Sequence, residues 1–236
     1  VSVFSDLNQL KDISLLDEFS GICGFTGEEI TDSFAPEIEE MAENKGISVE
    51  KCLQEMKEKY DGYHFSGNSK GVYNPYSVIN ALSDQKLGYY WFGSASPQLI
   101  INRMENSLIT PAQMESGITV AESDIMDYRI DDPDPVPLFY QSGYLTIKSY
   151  DEEFFTYTLG FPNSEIKYGF YRALVPSVLG ERDAQTGFSV RDLVLTIRKG
   201  DTDALFVQLK SLFASAPYMT TKAASYEEVW RNQIFL

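Results

Sequence analysis

From Ile30 to Tyr60 the apolar residues recur three and four positions apart: Ile30, Phe34, Ile38 and Met41, then Val49, Cys52, Leu53, Met56 and Tyr60. That period predicts two amphipathic helices separated by Gly46. Thr26-Gly27-Glu28-Glu29 opens the first as a capping box, in which the hydroxyl and the carboxylate each satisfy a free amide, and Pro36 is expected to kink or divide it. Ser48 caps the second, which should end at Gly62. Asn74-Pro75 and Ser96-Pro97 each supply a cap followed by proline at the first helical position, where its missing N–H costs nothing. Two short helices follow from them, with Tyr90-Trp91-Phe92 read as a strand between.

The second half changes pattern. Asp131-Asp132-Pro133-Asp134-Pro135 cannot continue a helix and is the expected boundary. Beyond it, Val136 to Ser142 reads as a short helix, and Tyr144–Tyr150 and Phe154–Gly160 as two strands of a hairpin turning at Asp151-Glu152-Glu153. Asn163 or Ser164 then caps a helix with Ile166, Phe170, Leu174 and Val178 on one face. Helix, hairpin and helix predict a small winged-helix-like unit over residues 131–185. Two more helices follow, one with Val190, Leu193, Val194 and Ile197 as its stripe, the other with Leu205, Leu209, Leu212 and Phe213, stopping at Pro217. The expected class is α+β, mainly α-helical. Val1-Ser2-Val3-Phe4 reads as the tail of a strand, and the helix capped by Ser225-Tyr226-Glu227-Glu228 is still apolar at Leu236, so an internal stretch of a longer protein is expected.

Composition narrows the class. With 43% hydrophobic residues in 236, the chain can bury a substantial core. Cys23 and Cys52, without a secretion signal, read as reduced thiols and point to the cytoplasm. No apolar run approaches the roughly 20 residues of a membrane-spanning helix. Residues 1–130 carry 9 Lys+Arg against 21 Asp+Glu, so this half is a poor nucleic-acid binder. From Gly160 onward 9 basic residues face 8 acidic ones, and only this part could turn a neutral face to DNA.

Gly67-Asn68-Ser69-Lys70-Gly71 lacks the spacing and hydroxyl of a phosphate-binding loop. One histidine and two cysteines 29 positions apart cannot make a structural zinc site. His64 is the sole imidazole and has no nucleophile motif beside it. Asp131 and Asp132 lack the glycine turn and closing Glu of a calcium loop. Pro133-Asp134 with Glu165-Ile166-Lys167 spells a nuclease pattern, in which two carboxylates hold Mg²⁺ and a lysine helps activate water. The pattern needs Glu and Lys on a strand, whereas these follow Pro162-Asn163 into a helix. A carbohydrate-active enzyme would need a carboxylate pair about 5 to 10 Å apart beside aromatic platforms, and the sequence marks no such pair.

Seven strings occur in order: Ser2-Val3-Phe4-Ser5-Asp6-Leu7-Asn8, Cys23-Gly24-Phe25-Thr26, Tyr60-Asp61-Gly62-Tyr63, Val72-Tyr73-Asn74-Pro75-Tyr76-Ser77, Trp91-Phe92, Gln141-Ser142-Gly143-Tyr144-Leu145-Thr146 and Leu159-Gly160-Phe161-Pro162-Asn163. In them the chain resembles the bacterial proteins that join an AAA-ATPase-like domain to a PD-(D/E)XK nuclease-like domain. The resemblance implies a helical lid-like region over 1–130, the winged-helix-like unit over 131–185 and a helical connector over 186–236, lying between the two active sites. It implies no catalytic, cofactor or metal residue in this segment; ATP and Mg²⁺ belong to the full-length family. The expected partners are the flanking domains of the same polypeptide, with nucleic acid contacted weakly and no membrane.

The residues singled out as a structural signature are Tyr60, Asp61, Gly62, Tyr63, His64, Asn74, Pro75, Gly143, Tyr144, Gly160 and Pro162. Gly62 should take a positive φ, Tyr60 and Tyr63 should pack inward, and Asp61 should accept from nearby amides. His64 stands where the family usually shows Arg, so a phosphate-sensing role does not carry over. Lys167 and Arg172 lie off the apolar stripe of their helix and are the candidate nucleic-acid contacts. The alternative reading is a stand-alone protein-interaction module with an acidic helical face.

Overall fold

The computed structural model describes residues 11–93, 98–105, 107, 109–125, 134–179 and 190–215. The first three helices are α1 (Gly27–Ser33), α2 (Ala35–Lys45) and α3 (Val49–Tyr60). Thr26 and Glu29 form the capping box of α1, Pro36 stands at the start of α2 and so divides the two, and the Ser48 hydroxyl accepts from the Lys51 amide to open α3. Helix α4 (Pro75–Ser83) begins at Asn74, whose Oδ1 accepts from Tyr76 N at 3.0 Å. Ile30, Ile38, Met41, Cys52, Met56, Tyr60, Val78 and Ala81 close one apolar core among these four helices.

Helix α5 (Gln98–Glu105) follows; its expected cap, Ser96-Pro97, lies outside the described residues, as do Val1–Phe4 and the helix expected after Ser225. Tyr90-Trp91-Phe92 is not a strand. It runs into a single 3₁₀ turn, Trp91–Gly93, because the Tyr90 and Trp91 amides are taken by the Glu165 carboxylate and not by a neighbouring strand.

Next come α6 (Pro111–Ser116), β1 (Ile118–Ala121), α7 (Glu122–Ile125), α8 (Val136–Gln141), β2 (Thr146–Asp151), β3 (Thr156–Gly160) and α9 (Ser164–Leu179). The sheet is antiparallel with order β1-β3-β2. Ile118 pairs with Leu159 and Ala121 with Thr156 on one side of β3, and Ile147 with Leu159 on the other. Helix, strand, two helices and hairpin in that order give a winged-helix-like arrangement that starts at α6, before the expected boundary at Asp131. The signal for β1 is the β-branched run Ile118-Thr119-Val120 after Gly117.

Compactness divides the chain into Val1–Phe170 and Tyr171–Leu236, a division different from the expected one. Asp134 and Pro135 fall inside the first unit, and β1, which precedes them in the chain, is bound to β3, which follows them. In the second unit, α10 (Val190–Lys199) packs on α11 (Thr202–Ser215). Leu193 is half-buried, whereas Val194 and Ile197 are exposed; the side chains of Val178, Val190, Leu212 and Phe213 lie outside the described ones.

Gly62 fixes how α3 leaves the helical core. Its φ is +95°, a region that L side chains avoid, and a Cβ there would overlap the Pro162 carbonyl oxygen. Gly62→Ala is therefore expected to destabilise the fold by about 2–4 kcal/mol, the sum of backbone strain and a displaced neighbouring chain. Urea denaturation followed by circular dichroism measures it; a change under about 0.5 kcal/mol, the level of an ordinary surface substitution, would mean that the approach is not tight.

Candidate functional site

The signature residues meet at one junction in the first unit. Tyr60 closes α3 fully buried, and its Oη donates to Gly88 O at 3.0 Å. Asp61 folds back so that Oδ1 accepts from the Gly62 amide at 2.6 Å, while its carbonyl accepts from Asn163 Nδ2 at 3.0 Å. Tyr63 exchanges backbone hydrogen bonds with Val72 and donates through Oη to Gly143 O at 3.4 Å. The Asn74 amide donates to Tyr60 O at 2.9 Å, which sets the start of α4 against the end of α3, with Pro75 as the first helical residue. The Ser164 hydroxyl donates to Glu58 O, and Asn163 Oδ1 accepts from Ile166 N, capping α9.

His64 belongs to the same junction. Its amide donates to Thr146 Oγ1 at 2.7 Å, and that hydroxyl donates back to His64 O at 3.0 Å. Nδ1 lies 2.9 Å from Ser69 O; a carbonyl only accepts, so Nδ1 carries the proton. His64 and Asp61 both flank Gly71 but form no ion pair with each other. The imidazole is held as a structural donor.

The centre of the junction is Glu165, fully buried in the first turn of α9. One carboxylate oxygen accepts from Tyr90 N at 2.5 Å and Trp91 N at 3.1 Å, the other from Ser77 Oγ on α4 at 2.7 Å. Burial raises its pKa; the Ser77 hydroxyl, the two amides and the Lys59 ammonium oppose that rise. Lys59 donates to Leu87 O at 2.8 Å and lies 3.8 Å above the Tyr89 ring, which stacks on Tyr168. Behind the carboxylate, Tyr144 meets Trp91 edge to face at 4.9 Å and also touches Phe92 and Phe170. Gly143, at φ +78°, turns the chain into this cluster.

The nuclease-like string is not assembled. Asp134 Oδ1 accepts from the Val136 amide at the start of α8, Glu165 points inward, and Lys167 pairs with Glu115 at 2.9 Å; Pro133, Asp131 and Asp132 lie outside the described residues. No group of three His, Cys, Asp or Glu suited to a metal ion occurs among the described residues. A cleft of about 280 Å³ is lined by Gly117, Lys148, Thr158, Gly160, Asn163 and Lys167. Lys148 reaches back to Pro162 O at 3.4 Å, and burial lowers its pKa. Arg172 is exposed and belongs to the second unit. Helix α8, which a winged-helix reader would place in the major groove, has the sequence Val-Pro-Leu-Phe-Tyr-Gln with Val136, Pro137 and Phe139 buried, and offers no cation.

No family model matches the chain, and no solved structure matches it. It is 29% identical over 244 aligned positions to an uncharacterized protein in the vnfD 5' region of Azotobacter chroococcum mcd 1. The match covers 100% of this chain and 44% of that protein, so the chain spans less than half the length of its relative. No helix among the described residues is long and apolar enough to cross a membrane.

Glu165→Ala would leave two amides and a hydroxyl unpaired in a buried space, and should cost about 2–4 kcal/mol. Glu165→Gln keeps an acceptor for the amides and removes the titration. Because the folded pKa is raised, the native state holds the proton longer than the unfolded chain, so this carboxyl's contribution falls as pH rises above the usual glutamate range. The Tm difference between Glu165→Gln and the parent should then grow in favour of Gln from pH 4 towards neutrality, as about one buried charge is removed; a flat or opposite trend by calorimetry refutes the assignment.

Proposed function

We propose that this chain is the non-catalytic central segment of a cytoplasmic bacterial protein, coupling an AAA-like NTPase module to a PD-(D/E)XK nuclease-like module. The observation that carries this reading is the convergence of strings scattered from Cys23 to Asn163 on one closed, hydrogen-bonded junction. Apart from the Tyr144 hydroxyl, which is buried without a hydrogen-bond partner among the described residues, the polar side chains described there join α3, α4, the Tyr90–Trp91 segment, the hairpin and α9. Residues shared with a family for such a purpose hold elements in register, and a rigid joint of this kind transmits a movement from one flanking module to the other. The greater length of the Azotobacter protein, of which the chain spans 44%, leaves room for both modules.

The acidic balance and the uncharged α8 support a minor role for DNA. Lys167 is already paired with Glu115, and the hairpin turn bears Asp151, Glu152 and Glu153. ATP and Mg²⁺ would bind the flanking module and not this segment.

Reading the gene on either side of the segment tests the assignment directly. A phosphate-binding loop with an acidic Mg²⁺ motif upstream and an Asp followed by ExK downstream are expected; a stop codon directly after Leu236 would favour the stand-alone interaction module. The purified chain should hydrolyse neither ATP nor DNA with Mg²⁺ present, and turnover that persists through re-purification but is lost in Asp134→Ala would overturn the reading. Duplex DNA should bind no tighter than about 1–100 µM at physiological salt, with Lys167→Glu changing the anisotropy titration little. Submicromolar binding with a steep salt slope, abolished by Lys167→Glu, would instead make DNA recognition its function.

A further inference from the structure

The hairpin turn carries a feature that neither the core nor the junction requires. Residues 152–155 link β2 to β3, and Asp151 Oδ1 accepts from the amides of Glu153 at 2.9 Å and Phe154 at 3.1 Å, which fixes the turn. Phe155 closes it at φ +52°. Hairpin turns of this length regularly end on a left-handed residue, but glycine or asparagine takes that place with little strain, whereas a bulky ring does not.

A strained backbone persists when its side chain is held in place. Gln85, also at φ +52°, follows that rule: its amide donates to Leu82 O and Glu37 O. Phe155 does not. Its carbonyl accepts from the Glu122 amide at 3.0 Å, yet its side chain is 65% exposed and that of Phe154 is 67% exposed. Two phenylalanines therefore stand in water, on a turn pinned at both ends, at a position whose backbone disfavours one of them. Strain kept at an exposed site is a mark of function.

Charge selects what these rings meet. Asp151, Glu152 and Glu153 are exposed beside them, and Glu122, held by the Tyr150 hydroxyl at 2.7 Å, lies at the base of the turn. Carboxylates on this scale repel the phosphates of nucleic acid and of anionic lipid, and attract lysine and arginine. We propose that the Phe154-Phe155 tip is a docking element that inserts into an apolar pocket rimmed by lysine or arginine on a protein partner. The rings supply buried area, the surrounding acids supply orientation and speed of encounter, and the fixed turn presents both without further ordering.

The test has three arms. Phe155→Asn, which suits the left-handed position, should raise the Tm of the chain by about 2–4 °C; a fall would mean that the ring packs on its own fold, and would overturn the proposal. In the full-length gene product, a photoreactive benzoylphenylalanine at position 154 should give one adduct in cells, mapped to a partner peptide with basic residues around apolar ones. Its yield should drop at least about fivefold when Glu152 and Glu153 are both changed to Lys, as expected for a charged rim, and return when the mapped basic residues are changed to Glu. No adduct above that of the same photoreactive residue at Tyr76, or an adduct indifferent to the charge reversal, overturns the proposal. So does Phe154-dependent sedimentation of the chain with phosphatidylcholine or phosphatidylserine vesicles, which would make the tip a membrane anchor.

Discussion

A single carboxylate without a salt-bridging partner organises the first compact unit. Glu165 sits where water does not reach, and three donors from two other segments replace its hydration. An ionised carboxyl tolerates such a place only when its oxygens are saturated, so the geometry of α4, of the Tyr90–Trp91 turn and of α9 is fixed by one requirement. Around it the other polar residues of the joint serve the same end: Asn163 holds the exit of α3 and caps α9 in one side chain, with its amide nitrogen and its oxygen facing different elements.

This explains which parts of the fold were legible in the sequence. Helices α1, α2, α3, α4 and α9 announce themselves through local signals, a cap, a proline and an apolar stripe, that need no distant partner. The hairpin was legible for the same reason, since Asp151 both ends β2 and shapes the turn. Tyr90-Trp91-Phe92 reads as a strand because aromatic residues favour strands by packing, whereas here the backbone amides are claimed by a residue some 75 positions away. Strand β1 was missed because four residues with modest alternation become a strand only when β3 arrives beside them.

The candidate site was legible in part. Gly62, Asn74 and Asn163 stand in contexts whose local chemistry demands those residues. In the sequence Glu165 belongs to a short Glu-Ile-Lys pattern at the start of a helix, and nothing in its neighbours reveals that it faces inward. Its role depends on Ser77 and on two backbone amides, and a backbone amide has no letter in a sequence. The boundary at Asp131 was placed by composition, whereas compactness follows the β1–β3 pairing, which composition does not encode.

The meeting of Gly62 with Pro162 makes everything between them a closed loop of the polypeptide, tied at its base by non-covalent bonds alone. The entropy of closing such a loop grows only with the logarithm of its length, about 0.6 kcal/mol for each doubling. Insertions or deletions on exposed turns within it therefore leave the knot at its base almost unaffected, whereas one residue added between Asp61 and Tyr63, or between Pro162 and Glu165, would unfasten it. Tolerance to length change in this chain is a property of position relative to that knot, and distance from the core is a poor guide to it.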